Sequence, residues 1–361
     1  MVEKNQDYNV DIVDLGFEGE GITKINGFTM FVKGALKGEK AKIKVLKVNK
    51  DYGFAKLLEV LESSEDREEP VCEYFKKCGG CNLQHMTYES QLNHKTNIVK
   101  TTLKKALGYE VKVNDIVGMG IPYHYRNKAS YPVANNKIGF YKDRSHELIE
   151  NDECHIQNVL ADKLARIAFN VLQKHKITSY DEKTGKGLLR HIVTRIGVNS
   201  GETMLMIVTN GKDLKDKEKI VKEIIEEYPE ITTIVQNINE TKGNVILGEE
   251  CITLYGEGYI VDKLGEFKFK ISPLSFYQVN PVQTEALYNI ALDYAKLEGE
   301  ETVFDLYSGI GTISIFAASK AKKLYGVEIV EPAVEDARIN AEMNEIKNAE
   351  FICRRGRKSN T

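Results

Sequence analysis

The sequence predicts a multidomain α/β protein: an N-terminal β-barrel, a central α+β domain with a cysteine cluster, and an incomplete C-terminal doubly wound domain. Three observations predict it. Residues 8–62 are short apolar runs punctuated by glycines at 16, 19, 21, 27, 34 and 38, as in a compact barrel. Cys72, Cys78 and Cys81 then gather around the Gly79-Gly80 turn. Finally, Val303-Phe304-Asp305-Leu306-Tyr307-Ser308-Gly309-Ile310-Gly311-Thr312 reads as a buried strand that breaks into a glycine turn and opens a helix. A doubly wound sheet presents backbone to a nucleotide-like cofactor in that way. The expected domains are 1–62, 63–270 and 271–361.

In the barrel, Val10, Ile12 and Val13 open the first strand. From Lys33 to Lys50 seven lysines stand against the single acid Glu39. Period two puts Lys40, Lys42 and Lys44 on one strand face and Ala41, Ile43 and Val45 on the other. That lysine face is either solvated or a contact surface for an RNA backbone. The acidic stretch from Glu62 to Pro70 reads as an exposed linker, and 86–107 as a helix ended by Gly108.

The central region predicts strands over 125–133 and 138–141 around Asn135-Asn136, and a helix over 156–175 with Leu160, Leu164, Ile167, Ala168 and Leu172 on one face. A hairpin follows (191–198, 202–209), then a helix over 214–228 and strands over 231–239 and 244–247. The last region predicts helix 281–296, strand 303–307, helix 311–320, strand 323–329, helix 332–345 and strand 349–353. This β-α-β-α-β order predicts a parallel sheet.

A net charge of -3 gives no global attraction to nucleic acid, so any basic surface must be local. The start is not a signal peptide and no apolar run approaches a membrane span, which points to the cytoplasm and to no membrane partner. In a reducing compartment the cysteines more often bind metal or do chemistry than pair.

Cys72, Cys78, Cys81 and the distant Cys154 can direct four thiolates at one inorganic centre, either zinc or an iron–sulfur cluster. The irregular spacing, one close pair with two singles, favours a [4Fe–4S] cluster; Cys251 reads as core. Glu328 ends the strand after the glycine turn, 17 residues beyond Gly311, where a carboxylate accepts ribose hydroxyls. Position 314 is Ser rather than the third glycine of a dinucleotide fingerprint, which favours S-adenosylmethionine over NAD. In Ser272-Pro273-Leu274-Ser275-Phe276-Tyr277-Gln278-Val279-Asn280-Pro281, Asn280 caps a helix begun by Pro281, and Gln278 points toward the cofactor edge. Arg126, Lys128, Arg190 and His191, among Tyr125 and Tyr131, are either a solvated sheet face or a surface for phosphates and unpaired bases.

These motifs together resemble the RNA uracil-C5 methyltransferases, specifically the 23S ribosomal RNA (uracil-5-)-methyltransferase family, from about residue 8 to Cys353. The resemblance implies a TRAM RNA-binding barrel over 1–62 and a [4Fe–4S] cluster on Cys72, Cys78, Cys81 and Cys154. It further implies S-adenosyl-L-methionine held by Gln278, Tyr307 and Glu328, with Gly309 shaping its turn. The implied partner is 23S ribosomal RNA, met at a single-stranded or flipped uridine by a monomer. The implied chemistry is addition of a cysteine thiolate to C6, methylation at C5, and removal of the C5 proton by a carboxylate. A non-catalytic RNA-binding iron–sulfur remnant and a NAD-dependent oxidoreductase are the competing readings.

The family's nucleophilic cysteine and base are expected beyond residue 361, so no catalytic residue is assigned; Cys353 ends the third strand, too early for that role. The basic tail Arg354-Arg355-Gly356-Arg357-Lys358 departs from the small and acidic residues the family leads one to expect. For one choice of codons a one-base shift of reading frame near residue 354 gives family-like residues, and closing the sheet takes about 450 residues. On this reading the chain as written is truncated, poorly soluble, weak in cofactor binding and inactive.

Overall fold

The computed structural model describes residues 2–354. The chain forms two compact units, Met1–Pro122 with Tyr141–Glu147, and Tyr123–Phe140 with Leu148–Thr361.

In the first unit, strands β1 (Asp7–Asp11), β2 (Asp14–Leu15), β3 (Gly21–Ile25), β4 (Phe28–Lys33), β5 (Lys40–Val48) and β6 (Tyr52–Glu62) make one sheet in the order β1-β5-β6-β4-β3-β2. Only β4 and β6 pair in parallel. The alternation read from the sequence holds in β5: Ala41, Ile43 and Val45 are fully buried with Met30 and Val32, and the lysines take the other face. Helix α1 (Tyr88–Leu107) is capped by Thr87 and ends at Gly108, whose φ of 81° suits glycine.

The stretch 62–70 is mostly exposed, as expected, but it is pinned. Arg67 reaches back to the fully buried carboxylate of Glu39, pairing through both Nε and Nη2, and also donates to Gly34 O at 2.7 Å. Glu39 in turn accepts from the Leu36 N–H at 2.7 Å. A buried carboxylate needs such partners, and the linker supplies the main one.

The second unit contains β7 (Lys128–Ala134), β8 (Lys137–Tyr141), β9 (Leu148–Glu150), α2 (Val159–Lys174), β10 (Leu189–Ile196), β11 (Thr203–Thr209), α3 (Lys217–Glu227), β12 (Thr233–Ile238) and β13 (Glu250–Tyr255). Their strands form a sheet in the order β13-β12-β11-β10-β7-β8-β9, with β11 and β12 parallel across the α3 connection. One face packs Ile192, Leu205 and Ile207 against Leu164 and Leu172 of α2 and Ile220 and Ile224 of α3. The other face packs Val193, Met204, Met206 and Val208 against the hairpin β14 (Ile260–Leu264) and β15 (Phe267–Ile271) and against α4 (Pro281–Ala295).

Two departures from the sequence reading have physical causes. Residues 244–247 are not a strand, because Asn239 Nδ2 donates to the Val245 and Ile246 carbonyls and holds a loop. The strand follows at β13 and contains Cys251. The β14–β15 hairpin carries the alternation Ile260, Asp262, Leu264 and Phe267, Phe269, Ile271 around a turn at Gly265, a signal the sequence reading passed over.

The last elements are β16 (Thr302–Asp305), α5 (Thr312–Ala318), β17 (Lys323–Glu328), α6 (Glu331–Met343) and β18 (Ala349–Cys353). They form the expected parallel sheet in the order β16-β17-β18. Among the described residues β16 is an edge strand, with Phe304 64% and Tyr307 92% exposed. No helix among the described residues is long and apolar enough to cross a membrane.

Candidate functional site

The glycine turn lies where β16 ends and α5 begins. Gly309 and Gly311 have φ of 52° and 81°, the left-handed region that disfavours side chains. A Cβ on Gly311 would also stand 3.0 Å from the Phe351 ring. Gly311 N–H closes the turn on Ser308 O at 2.8 Å, and Asn340 Nδ2 of α6 donates to Ile310 O at 3.0 Å. Asp305, at the end of β16, accepts the Ser314 hydroxyl at 2.6 Å and so ties strand to helix.

Glu328 ends β17 beside this turn. Its Oε2 accepts from Gly309 N–H at 3.0 Å, and its Oε1 from Ile329 and Val330 N–H at 2.7 and 3.1 Å. Three bonds leave a carboxylate with capacity for a further donor. Ser308 Oγ is buried without a hydrogen-bond partner, and nothing stands within 4 Å of a Cβ built on Gly309. An anchored carboxylate, an unpartnered hydroxyl and an open glycine together suit a ribose-bearing ligand.

Gln278 lies on the loop that leads into α4. Asn127 pins the loop twice, Nδ2 to Gln278 O at 3.0 Å and N–H to Val279 O at 2.9 Å. Ser275 Oγ donates to Asp336 Oδ2 on α6 at 2.8 Å, and Arg195 Nη2 donates to Ser275 O at 2.8 Å. Helix α6 therefore holds both the loop, through Asp336, and the glycine turn, through Asn340. Asn280 caps α4 and Pro281 is its first residue, as expected. Gly309 and Glu328 are joined directly and Tyr307 lies exposed on the turn, while the loop that carries Gln278 is tied to α6 through Ser275.

Of the four cations read from the sequence, Arg190 is the one that lies in the core, while Arg126, Lys128 and His191 are half-buried. Arg190 is buried, stacks on Tyr180 at 4.5 Å and donates to Asn239 O and Thr241 O at 2.7 Å each, so it organises the core. Burial, and then the neighbouring Arg195 across the strand pair, pull the Lys128 ammonium down to about 8.

In the first unit, Cys72, Cys78 and Cys81 are half-buried. Gly80 N–H points at Cys78 Sγ at 3.4 Å, and Gln84 Nε2 points at Cys81 Sγ at 3.3 Å while Gln84 Oε1 accepts from Cys72 N–H at 3.2 Å. N–H groups aimed at sulfur favour thiolates and recur around metal and cluster ligands. Burial, above all, holds the Cys72 thiol above its ordinary range, so a bound cation would be what deprotonates it. Cys154 stands in the second unit, its N–H anchored by Asp162 Oδ2 at 2.8 Å. Cys251 packs against the core and meets Asn237 Nδ2 at 3.3 Å. Cys353 lies opposite Glu328 at the end of β18, its thiol toward Ile329 O at 3.8 Å.

One group of residues escaped the sequence reading. On the outer face of the first sheet Phe31, Tyr52 and Phe54 cluster with ring centroids 5.6–5.9 Å apart. Lys56 lies in register with both Lys33 and Lys44, and Lys47 with Phe54. The signal was present in β4 and β6, where these aromatics occupy the positions that alternate with buried Met30, Val32 and Ala55.

Comparisons with known proteins show the family. Residues 2–58 match the TRAM domain, and residues 87–357 match the family described as tRNA (Uracil-5-)-methyltransferase. An uncharacterized RNA methyltransferase of Clostridium tetani is 48% identical over 97% of this chain and 77% of its own length. Another from Clostridium acetobutylicum is 50% identical over 97% of this chain and 78% of its own. The crystal structure of Pyrococcus abyssi tRNA (uracil-54, C5)-methyltransferase in complex with S-adenosyl-L-homocysteine superposes with a TM-score of 0.76, at 27% identity, over 96% of this chain and 79% of that one.

Proposed function

The chain belongs to the RNA uracil-5-methyltransferase family and begins with a TRAM domain, and from that premise we propose that it methylates C5 of a uridine in 23S ribosomal RNA, in the cytoplasm and as a monomer. The observation that carries the cofactor half of this reading is Glu328 held at the glycine turn by Gly309 N–H. S-adenosylmethionine supplies an electrophilic methyl when bound. Glu328 accepts a ribose hydroxyl, Gly309 leaves space where the strand ends, Tyr307 packs on the cofactor with its exposed ring, and Gln278 contacts it from the α4 loop.

The RNA half rests on the first sheet. Phe31, Tyr52 and Phe54 offer π-faces to unpaired bases, and Lys44, Lys47 and Lys56 offer charge to the backbone between them. A single-stranded or flipped uridine is the form such a surface and such chemistry can use. Neither Cys251, packed against the core, nor Cys353, at the end of β18, is proposed as the thiolate that adds to C6.

Since the thiolate and base are expected beyond residue 361, the substrate is tested by incubating a chain continued to the length of its relatives, of which the match covers 77–78%, with labelled S-adenosylmethionine and separated RNA fractions. Label recovered as 5-methyluridine in 23S RNA is expected; label in transfer RNA alone would overturn the ribosomal assignment. Glu328→Ala should weaken cofactor binding by calorimetry about 10- to 100-fold, the worth of a hydrogen bond to a charged group. An unchanged affinity would remove Glu328 from the site.

We further propose that Cys72, Cys78 and Cys81 are ligands of a [4Fe–4S] cluster, with Cys154 as the fourth thiolate expected from the sequence. The N–H groups directed at Cys78 and Cys81 support it. Anaerobically purified protein should carry about four iron and four sulfide per chain, and Cys78→Ser should lose them. Stoichiometric zinc without sulfide would replace the cluster with a structural zinc site.

A further inference from the structure

We infer that His124, Glu153 and His155 form a site for a single divalent transition-metal ion of the zinc class, separate in its ligands from the cysteines. Their ligand atoms lie within 4.8 Å of one another, the group of this kind found among the described residues. His124 Nε2 stands 4.0 Å from Glu153 Oε1, and His155 Nδ1 stands 3.8 Å from the same oxygen. A tetrahedral zinc with bonds of about 2.0–2.1 Å spaces its ligands about 3.3 Å apart, so small side-chain rotations close the triad. Two imidazoles and a carboxylate leave a fourth position for water or another ligand.

A second observation fixes which nitrogen is available. His124 Nδ1 lies 3.0 Å from the Gln157 carbonyl oxygen. A carbonyl only accepts, so Nδ1 carries a proton there, and Nε2 is the ring nitrogen left to face Glu153 and an ion. Metal-ligating histidines are oriented by this same outer contact to a backbone carbonyl.

The backbone under the three ligands is already set. His124 N–H donates to His155 O at 2.8 Å and Arg126 N–H to Ile156 O at 3.0 Å, which lock residues 124–126 alongside 155–157. Asn151 Nδ2 donates to Glu153 O at 3.0 Å, and Asp162 holds Cys154 N–H between the two ligands. His124 itself sits at φ 54°, a conformation that a histidine adopts at a cost. An ion bound there would tie residues 153–155 to residue 124 and so immobilise the segment that carries Cys154.

Cobalt(II) is the probe, because its visible spectrum reports tetrahedral geometry and a thiolate ligand adds a charge-transfer band that nitrogen and oxygen ligands lack. Intact protein, purified and titrated anaerobically, should take up one cobalt with the tetrahedral visible bands and no thiolate band. His124→Gln and Glu153→Gln should each weaken that uptake at least tenfold, whereas the triple replacement of Cys72, Cys78 and Cys81 by Ser should leave it unchanged. Retention of the melting temperature and of cofactor binding in the two Gln variants separates a lost ligand from a lost fold. Absence of the visible bands, their persistence in both Gln variants, or a thiolate band abolished by the Ser replacements would each overturn the site.

Discussion

Strands β11 and β16 of the second unit are both apolar runs, Thr203–Thr209 and Thr302–Asp305, yet every residue of β11 is buried while Phe304 of β16 is 64% exposed. The difference is cover. β11 runs between β10 and β12, with α2 and α3 on one face and the β14–β15 hairpin on the other. β16 has β17 on one side and no strand on its other side among the described residues. An apolar run therefore marks a strand, and burial is conferred by what the rest of the chain lays over it.

The comparison breaks most directly at Leu205. Leu205→Ala empties a fully buried position and should cost about 2–5 kcal/mol in urea denaturation. A loss below about 1 kcal/mol would mean that β11 is not the close-packed strand described.

Acid should sharpen the contrast. His191 of β10 has an enclosed ring nitrogen, and burial first, then Arg190, lower it to about 4. In the first unit, burial and then Arg67 likewise bring His85 down to about 4. The unfolded chain takes up these protons near pH 6.5 and the folded chain only near 4. The stability that each neutral ring secures above pH 6.5 is thus lost as pH falls through that window, by about 2 kcal/mol each once partial solvation is allowed for. Residues 271–361 contain no histidine. Hydrogen exchange at pH 5 should accelerate in β10 and β11 before it does in β17, and the effect in β10 should vanish in His191→Gln. Equal acceleration in both sheets would contradict this.

The smallest effect belongs to the edge. Phe304→Lys should change stability by no more than about 0.5 kcal/mol while reducing self-association in light scattering, since an exposed apolar edge strand recruits partners. A large loss of stability would show that Phe304 is packed after all.

Much of this molecule was legible in its residues. The Gly309–Gly311 turn, Glu328 and the Asn280-Pro281 cap could be read because each depends on neighbours close in sequence, where backbone geometry and capping chemistry are local. Arg190 could not: its stacking on Tyr180 and its bonds to Asn239 O and Thr241 O join distant segments, and only those contacts distinguish a core arginine from an RNA-binding one. The His124, Glu153 and His155 triad was hidden for the same reason, since 29 residues separate His124 from Glu153. Phe31, Tyr52 and Phe54 had an alternation signal, but the alternation alone did not say that β4 pairs with β6.

The Arg67–Glu39 pair bears on where an inheritable module ends. The TRAM match stops at residue 58, so an exchange between genes guided by sequence likeness would cut there. The carboxylate of Glu39 would then travel without its guanidinium, at a cost of about 3–5 kcal/mol for an orphaned interior charge. Recombinants that keep residues 59–67 with the N-terminal sheet escape that penalty. Lineages descended from such exchanges should therefore carry the arginine along with the sheet, and the unit that selection transmits is longer than the unit that similarity outlines.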